Sequence, residues 1–448
     1  MQEKTITEFL DQDYREFANY VVESRAIPSV IDGFKPTQRK IIHISNTAFK
    51  TGTEKAMKIF QLSGRIAADA FYHHGSKSLE DAIITMAQRF KNNAPLLIED
   101  GQFGSLRSPE PGAARYIGTK LSPNFRLLYK DFDLLEYKEE EGYKIEPKYF
   151  LPIIPTVLLN GSSGIAVGFA TNILNRDPIE LIDAVVKVLG DKKIKTIKPH
   201  LNNYKGEFVQ DKEIPKRWII RGVYEKQNTN TVRVTELPPS VTYEKYENHL
   251  DDLIEKNIIV SYEDNSRDNV DYTIKFTREA LSDMDETKLK KILKLEESET
   301  ENFTTLDEYG KLKIFECMED IIYYFTNFRL TYYQKRKDFL VKKLIQELLV
   351  MSNRAKFIKA ILDLKLKVNN RKKEDIINDI EKMKLDKVDG NYDYLLRMPI
   401  YSLTKELFDK LLSEQVEKKV EIETTKKMAT KDMYLNDLSE LKKSIKKL

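Results

Sequence analysis

Hydrophobic and polar positions repeat on more than one period along this chain. From Ile314 onward, apolar or aromatic residues recur at Ile321, Phe325, Phe328, Tyr332, Phe339, Leu344, Leu348, Met351, Ala355 and Ile358, near three and four apart, with charges between them and no proline. That spacing predicts one long helix, and ~50 residues at 1.5 Å per residue would reach ~75 Å. Asn369-Asn370 is expected to end it. Residues 371–448 then read as a small helical unit and a returning helix from Thr404 to Lys431. Together these predict an antiparallel coiled coil with a knob at its tip. Between Pro199 and Lys275 the period shortens. GEFVQ, RWIIRGVYE, NTVRVTELP, IIVSYED and DYTIKF alternate and are rich in β-branched residues, so this region predicts strands in an α/β or α+β domain.

Residues 1–150 read as mainly helical with short turns. Pro36 suits a helix first turn after the Asp32-Gly33 turn. Lys55 to Gly75 is a second helical stretch with a break expected at Gly64. Ser78 opens S-L-E-D, the pattern of a capping box ahead of LEDAIITMAQRF. Short helices in this order suit a helix-turn-helix or winged-helix module. After Tyr149 the run YFLPIIPTVLLNGSSGIAVGFA is first apolar and then glycine-rich, and Gly161, Gly164 and Gly168 predict tight turns or a close backbone approach.

At 448 residues the chain is too long for one ordinary core. We divide it at 1–150, 151–313 and 314–448, an α+β multidomain protein. Its apolar runs fall short of the ~20 residues of a membrane helix, and MQEKTITEFL is no signal peptide. One cysteine, Cys317, rules out an internal disulfide and any cysteine-rich zinc site, and points to a reducing, cytoplasm-like compartment. A net charge of +3 decides little. Its distribution says more: from Gly33 to Lys77 stand Lys35, Arg39, Lys40, Lys50, Lys55, Lys58, Arg65 and Lys77 against Glu54 and Asp69 alone. A phosphate backbone fits such a surplus, as does an ordinary lysine-rich surface.

The sequence contains no GxxxxGK[ST], no HExxH and no His/Cys cluster. The Asp-x-Asp pairs at Asp11/Asp13, Asp131/Asp133 and Asp283/Asp285 read as solvated faces. His73-His74 before Gly75 could donate to a phosphate or simply lie at a surface turn. Tyr116 directly follows Arg115 in PGAARYIGTK. A phenol with a pKa of ~10 is a weak nucleophile unless helped. A neighbouring guanidinium favours the phenolate and can hold the phosphate it attacks. A tyrosine beside an arginine is also ordinary in a chain with 23 tyrosines.

In order along the chain, SRAIPSVIDGFKPTQRK, FYHHGSKS, DAIITMAQRF, EDGQFGS, AARYIGTKLS and LPIIPTVLLNGSSGIAVGFATNI closely resemble the breakage–reunion region of type IIA DNA topoisomerases. TELPPSVT and YLLRMPIYSLTKELFDKLL extend the resemblance over nearly the whole chain. The organisation resembles the separate cleavage subunit of T-even-type bacteriophage enzymes, without a wrapping, ATPase or toprim domain on the same chain.

The resemblance implies a winged-helix cleavage domain with an N-terminal arm, an α/β tower domain, and a coiled coil carrying a dimerisation (exit-gate) domain. It implies that Tyr116 attacks a DNA phosphate and stays joined to the 5′ end. Arg115 and Arg25 would act at that phosphate. Lys35, Arg39, Lys40, His73, His74 and Lys77 would bind DNA, and Ile165 would wedge between base pairs. It further implies a two-fold homodimer acting on duplex DNA, with Mg²⁺ and ATP held by a partner chain. The location would be the cytoplasm, at the nucleoid or inside a phage host. The other reading is a non-catalytic DNA-binding scaffold derived from the same family. The chain departs from bacterial patterns at Lys77, where a serine that helps hold quinolones is common, and at Gln38, where a histidine is common. The loop SLRSPEPGAARY also differs.

Overall fold

The computed structural model describes residues 5–445 except 268, 283, 400 and 402. Its contacts divide the chain into two compact units, Met1–Arg329 with Asp437–Leu448, and Leu330–Asn436.

The first unit begins with a helical arm that runs from Ile6 to Ala26 and includes two π-helical stretches, Phe9–Tyr14 and Val22–Ala26. A tight turn follows, with Gly33 at φ +72° and the Phe34 N–H donating to Asp32 Oδ1 at 3.1 Å. The helix Pro36–Ala48 starts there with Pro36 in its first turn. Proline suits that place because its N–H would have no helical partner. The Lys35 N–H donates to Gln38 Oε1 at 2.9 Å, and Ile41, Ile42 and Ile44 bury one face.

Two further helices, Ile59–Asp69 and Ser76–Ala87, follow. The first passes through Gly64 without a break, since tertiary packing of Ile59, Leu62 and Ile66 outweighs the ~1 kcal/mol cost of a mid-helix glycine. The second begins two residues before Ser78, with Gly75 as N-cap. The Ser78 hydroxyl donates back to the Gly75 carbonyl at 2.7 Å, and Asp81 pairs with Lys77, so the expected capping box does not form.

The first 150 residues also hold more strand than their pattern predicts. Met57–Lys58, Gly118–Leu121 and Leu97–Asp100 form one antiparallel sheet in that order, and Tyr137–Glu140 pairs with Tyr143–Pro147. These strands are two to five residues long, too short for a period of two to show above noise.

The glycine-rich segment is a hairpin, Ser162–Ile165 against Ala170–Ile173, with Ile165 opposite Ala170. Gly161 and Gly168 have φ of +64° and +75°. A Cβ on Gly164 would lie 2.2 Å from the Ala26 carbonyl oxygen, so the hairpin and the arm approach as only glycine allows. All five runs read as strands between Pro199 and Lys275 are strands. Thr231–Glu236 and Tyr272–Phe276 lie in the middle of a four-stranded antiparallel sheet. Their inward residues Val232, Val234, Tyr272 and Ile274 pack with Tyr246 and Leu250 of the helix Tyr243–Glu255. Asp131 is not solvated: it pairs with the buried Arg329 at 2.5 Å. Asp285 caps the helix Glu286–Ile292, while Asp283, Ile400 and Ser402, and the ends of the chain at 1–4 and 446–448, lie outside the described residues.

The long helix runs from Met318 to Leu362, 45 residues and about 67 Å. It stops eight residues before Asn370. Leu364 takes the left-handed conformation at φ +60° and the Lys365 N–H reaches back to the Ala360 carbonyl at 2.9 Å, the geometry of a Schellman end. Within Leu330–Asn436, the returning helix Lys405–Lys427 starts at its Thr404 cap and runs antiparallel to the long one: Lys418 meets Glu347 at 3.1 Å, and Leu411 packs with Ala355 and Ile358. It ends at Lys427, and a further helix, Thr430–Ile445, follows. A small core of Phe357, Leu366, Ile380, Leu385 and Leu395 closes the end of this unit. Cys317 stands just before the long helix, half-buried. Burial, helped by Glu319, pushes its thiol pKa up to about 11. No helix among the described residues is long and apolar enough to cross a membrane.

Candidate functional site

Tyr116 closes a turn at the start of the central strand Gly118–Leu121. Its N–H and that of Ile117 both donate to the Ala113 carbonyl, at 2.8 and 3.3 Å. From the other side, the Ile59 N–H donates to the Ile117 carbonyl at 3.1 Å and the Phe60 N–H to the Ala114 carbonyl at 3.2 Å. Lys58 donates its ammonium to the Tyr116 carbonyl at 2.6 Å. The main chain is thus fixed on both flanks while the ring stands out, 70% exposed. The Arg115 guanidinium lies 5.5 Å from the ring centroid. A phenol presented to solvent with a cation beside its ring suits attack on an anionic ester that arrives from outside. Sequence reasoning singled out Tyr116 and Arg115 but passed over Lys58. Its only sequence signal was its membership of the basic run.

A second group gathers around the hairpin. Ile165 at the hairpin end is 87% exposed. A single exposed apolar side chain is ordinary at a protein surface, so its place at the hairpin end rather than its exposure is what bears on a role. Lys35 reaches across to the Ser163 carbonyl at 2.7 Å, and burial lowers its pKa. Arg25, in the π-helical turn that faces Gly164 through Ala26, is exposed. The structure therefore brings Lys35 and the turn that carries Arg25 to the hairpin that carries Ile165, whereas among the described residues no hydrogen bond or ring contact links them to Tyr116.

His73 and His74 form a third group. His73 Nε2 lies 2.9 Å from Glu140 Oε1. His74 Nε2 lies 2.7 Å from the Tyr20 hydroxyl, and its ring meets Tyr72 edge-on at 5.4 Å. Tyr20 and Glu140 come from far along the chain and gave no sequence signal. Lys77 is exposed and pairs with Asp81 at 2.7 Å.

Two of the basic residues expected at a DNA surface turn inward. Arg39 is 4% exposed, with Nε donating to Asp32 Oδ2 at 2.7 Å and an NH₂ group to Asp32 Oδ1 at 3.0 Å. Burial opposes its charge, but the Asp32 carboxylate outweighs burial and raises its pKa. Lys40 pairs with the buried Glu146 at 2.8 Å and donates to the Ala70 carbonyl at 2.5 Å. Both seat the helix Pro36–Ala48; neither offers a free cation to a phosphate. Among the described residues no group of three or more His, Cys, Asp or Glu side chains comes together to hold a metal ion.

This fold and these motifs define a class. The sequence model of the DNA gyrase/topoisomerase IV A-subunit family matches residues 25–442, and the chain belongs to that family. It is 34% identical to the DNA topoisomerase medium subunit of Enterobacteria phage T4, over 99% of this chain and 100% of that protein. It is 35% identical to DNA topoisomerase 2 of Arabidopsis thaliana over 99% of this chain, but spans only 33% of that protein. It likewise spans 36% of the mitochondrial DNA topoisomerase 2 of Dictyostelium discoideum. The crystal structure of the Plasmodium falciparum topoisomerase II DNA-binding, cleavage and re-ligation domain superposes with a TM-score of 0.88 at 33% identity, over 98% of this chain and 64% of that one. The mixed α/β fold is therefore that of the type II topoisomerase cleavage region.

Proposed function

We propose that this chain is the DNA breakage–reunion subunit of an ATP-dependent type II DNA topoisomerase, with Tyr116 as its nucleophile. The observation that carries the reading is the Tyr116 turn: a ring 70% exposed, a main chain pinned by Lys58 and Ala113, and a guanidinium at the ring. In the reaction, Tyr116 Oη forms a bond to a backbone phosphorus as it gives up its proton. The P–O3′ bond breaks, and the 3′ oxygen leaves and is protonated. The product is a 5′-phosphotyrosyl ester and a free 3′-hydroxyl. One phosphodiester replaces another, so resealing is the same exchange in reverse and consumes no nucleotide. Arg115 and Arg25 stabilise charge on the transferring phosphate.

In this reading residues 1–150 are the winged-helix cleavage domain with its N-terminal arm. Residues 151–313 are the tower, and residues 314–448 the coiled coil with its dimerisation gate. His73, His74, Lys35 and Lys77 contact the gate duplex, and Ile165 enters it. Arg39 and Lys40 act indirectly, by setting the helix that begins directly after Lys35. Two copies cut two strands. Mg²⁺ and ATP belong to a separate chain with toprim and ATPase domains, and the complex works at the nucleoid in the cytoplasm.

The test is a trapping assay with the toprim-bearing partner, Mg²⁺ and 3′-labelled duplex, denatured in detergent. Label joined to Tyr116 and lost in Tyr116→Phe, with DNA binding kept, is the expected result. Equal adduct from wild type and variant would reject the assignment. No adduct at all, with firm binding and an active control enzyme, would favour the scaffold reading.

A further inference from the structure

The loop ahead of Tyr116, SLRSPEPGAARY, is closed on itself and tied down at its tip. It leaves the strand Leu97–Asp100 and folds back sharply. Gly104 has φ +82° and no room for a Cβ, which would sit 2.6 Å from the Pro109 carbonyl oxygen. The Ser105 N–H donates to the Ser108 carbonyl at 2.8 Å, and the Gly112 N–H to the Gln102 carbonyl at 2.9 Å. The base of the loop is also fixed, because buried Gln88 donates to the Phe103 carbonyl at 2.8 Å.

At the tip of this closed loop stands Arg107, only 7% exposed. It is inserted into the segment that follows the strand Thr231–Glu236. One guanidinium nitrogen donates to the Pro238 carbonyl at 2.6 Å and the Val241 carbonyl at 2.7 Å. The other donates to Glu236 Oε1 at 2.6 Å and to the Leu237 carbonyl. The contact is returned by the Tyr243 N–H, which donates to the Arg107 carbonyl at 3.1 Å. Glu236 is held in place in turn, its Oε2 accepting from the Lys205 N–H at 3.1 Å. The rigid planar fork of arginine can meet four acceptors in this way; the single ammonium of a lysine cannot.

We propose that Arg107 is a positioning residue for Tyr116. It ties the tip of the tyrosine loop to the sheet body at Glu236–Val241, so that Tyr116, nine residues after the anchor at the end of the turn from Ala113, is presented in one place to an incoming phosphate. This rests on the nucleophile reading of Tyr116. Arg107 touches no substrate. A displacement of the nucleophile by about 1 Å costs on the order of a hundredfold in rate, so the anchor acts on the rate of attack and leaves the affinity for DNA alone.

The experiment uses the complex with its toprim-bearing partner and the same labelled duplex. A second sample carries 3-fluorotyrosine at position 116 for fluorine NMR. Arg107→Ala is expected to slow adduct formation at least tenfold, to bind duplex within about twofold of wild type, and to shift or broaden the fluorine signal. Arg107→Lys should fall between the two. Arg233→Ala, which removes a half-buried pair with Asp271 from the strand that also carries Glu236, should change neither readout. Should Arg107→Ala not fold, Glu236→Gln keeps the shape and removes the charge, and is expected to slow the adduct several-fold with a fluorine shift. Wild-type adduct rate and an unchanged fluorine signal in whichever of these folds would overturn the anchor. If the wild-type chain itself forms no Tyr116 adduct, the nucleophile reading has failed, and this inference falls with it.

Discussion

At the scale of single residues, exposure and occupancy separate surface chemistry from support. Tyr116 and Ile165 stand out at 70% and 87% exposure, while Arg39 is 4% exposed. Ile165→Ala should leave stability within about 0.5 kcal/mol of wild type, because an exposed side chain takes little packing with it. If Ile165 wedges the duplex, the same variant should bend bound DNA less, and fluorescence transfer between labelled duplex ends would show it. Arg39→Ala is expected to behave in the opposite way. It strands Asp32, fully buried, and breaking such a pair costs about 3–5 kcal/mol. The Asp32 carboxylate keeps the Phe34 and Phe150 N–H groups as donors, so the lower end of that range is expected in urea unfolding. The fold, more than any direct phosphate contact, would account for lost DNA binding in that variant.

At the scale of elements, the helix Pro36–Ala48 rests on buried charge. Beneath it Glu146, 2% exposed, takes Lys40 at 2.8 Å and Lys138 at 3.4 Å. His43 on the same helix lies edge-on to Tyr137 at 5.6 Å. Burial lowers its pKa, with Lys40 adding and Glu146 opposing. A folded pKa below the unfolded value near ~6.5 gives a stability contribution that is full above about pH 6.5 and is lost as pH falls through the folded value. His43→Gln should therefore flatten the acid limb of a stability–pH curve measured by urea unfolding at pH 7 and 5. The same steepness in both proteins would refute it.

The elements also show what the pattern of residues revealed. The long helix, its return from Thr404 and the five strand runs after Pro199 were legible because each spans enough residues for its period to show. The start at Pro36 was legible because proline has a place in a first turn. The short strands around Tyr116 were not legible, since pairing across the sheet fixes them and local sequence does not. The inward turn of Arg39 and Lys40 was hidden for a related reason. Asp32 and Glu146, the carboxylates that claim them, lie 7 and 106 residues away, and a count of basic residues cannot tell an occupied cation from a free one.

At the scale of the whole molecule, the proposed reaction with Tyr116 as nucleophile calls for two copies of the chain to cut two strands. Complexes assembled from equal parts of wild type and Tyr116→Phe should yield, alongside double-strand breaks, a nicked class from mixed dimers, near half of all dimers if mixing is random. Nicks would be counted on denaturing gels, and their absence would mean that one tyrosine serves both strands or that chains do not pair. Such work depends on labelling chosen positions, and Cys317 makes that simple. With its thiol held at about 11, the reactive thiolate at neutral pH is roughly a hundredfold scarcer than in an ordinary exposed cysteine. A maleimide dye should therefore find a cysteine introduced at the surface well before it finds the native one, and distance probes can be attached with the natural sequence otherwise intact.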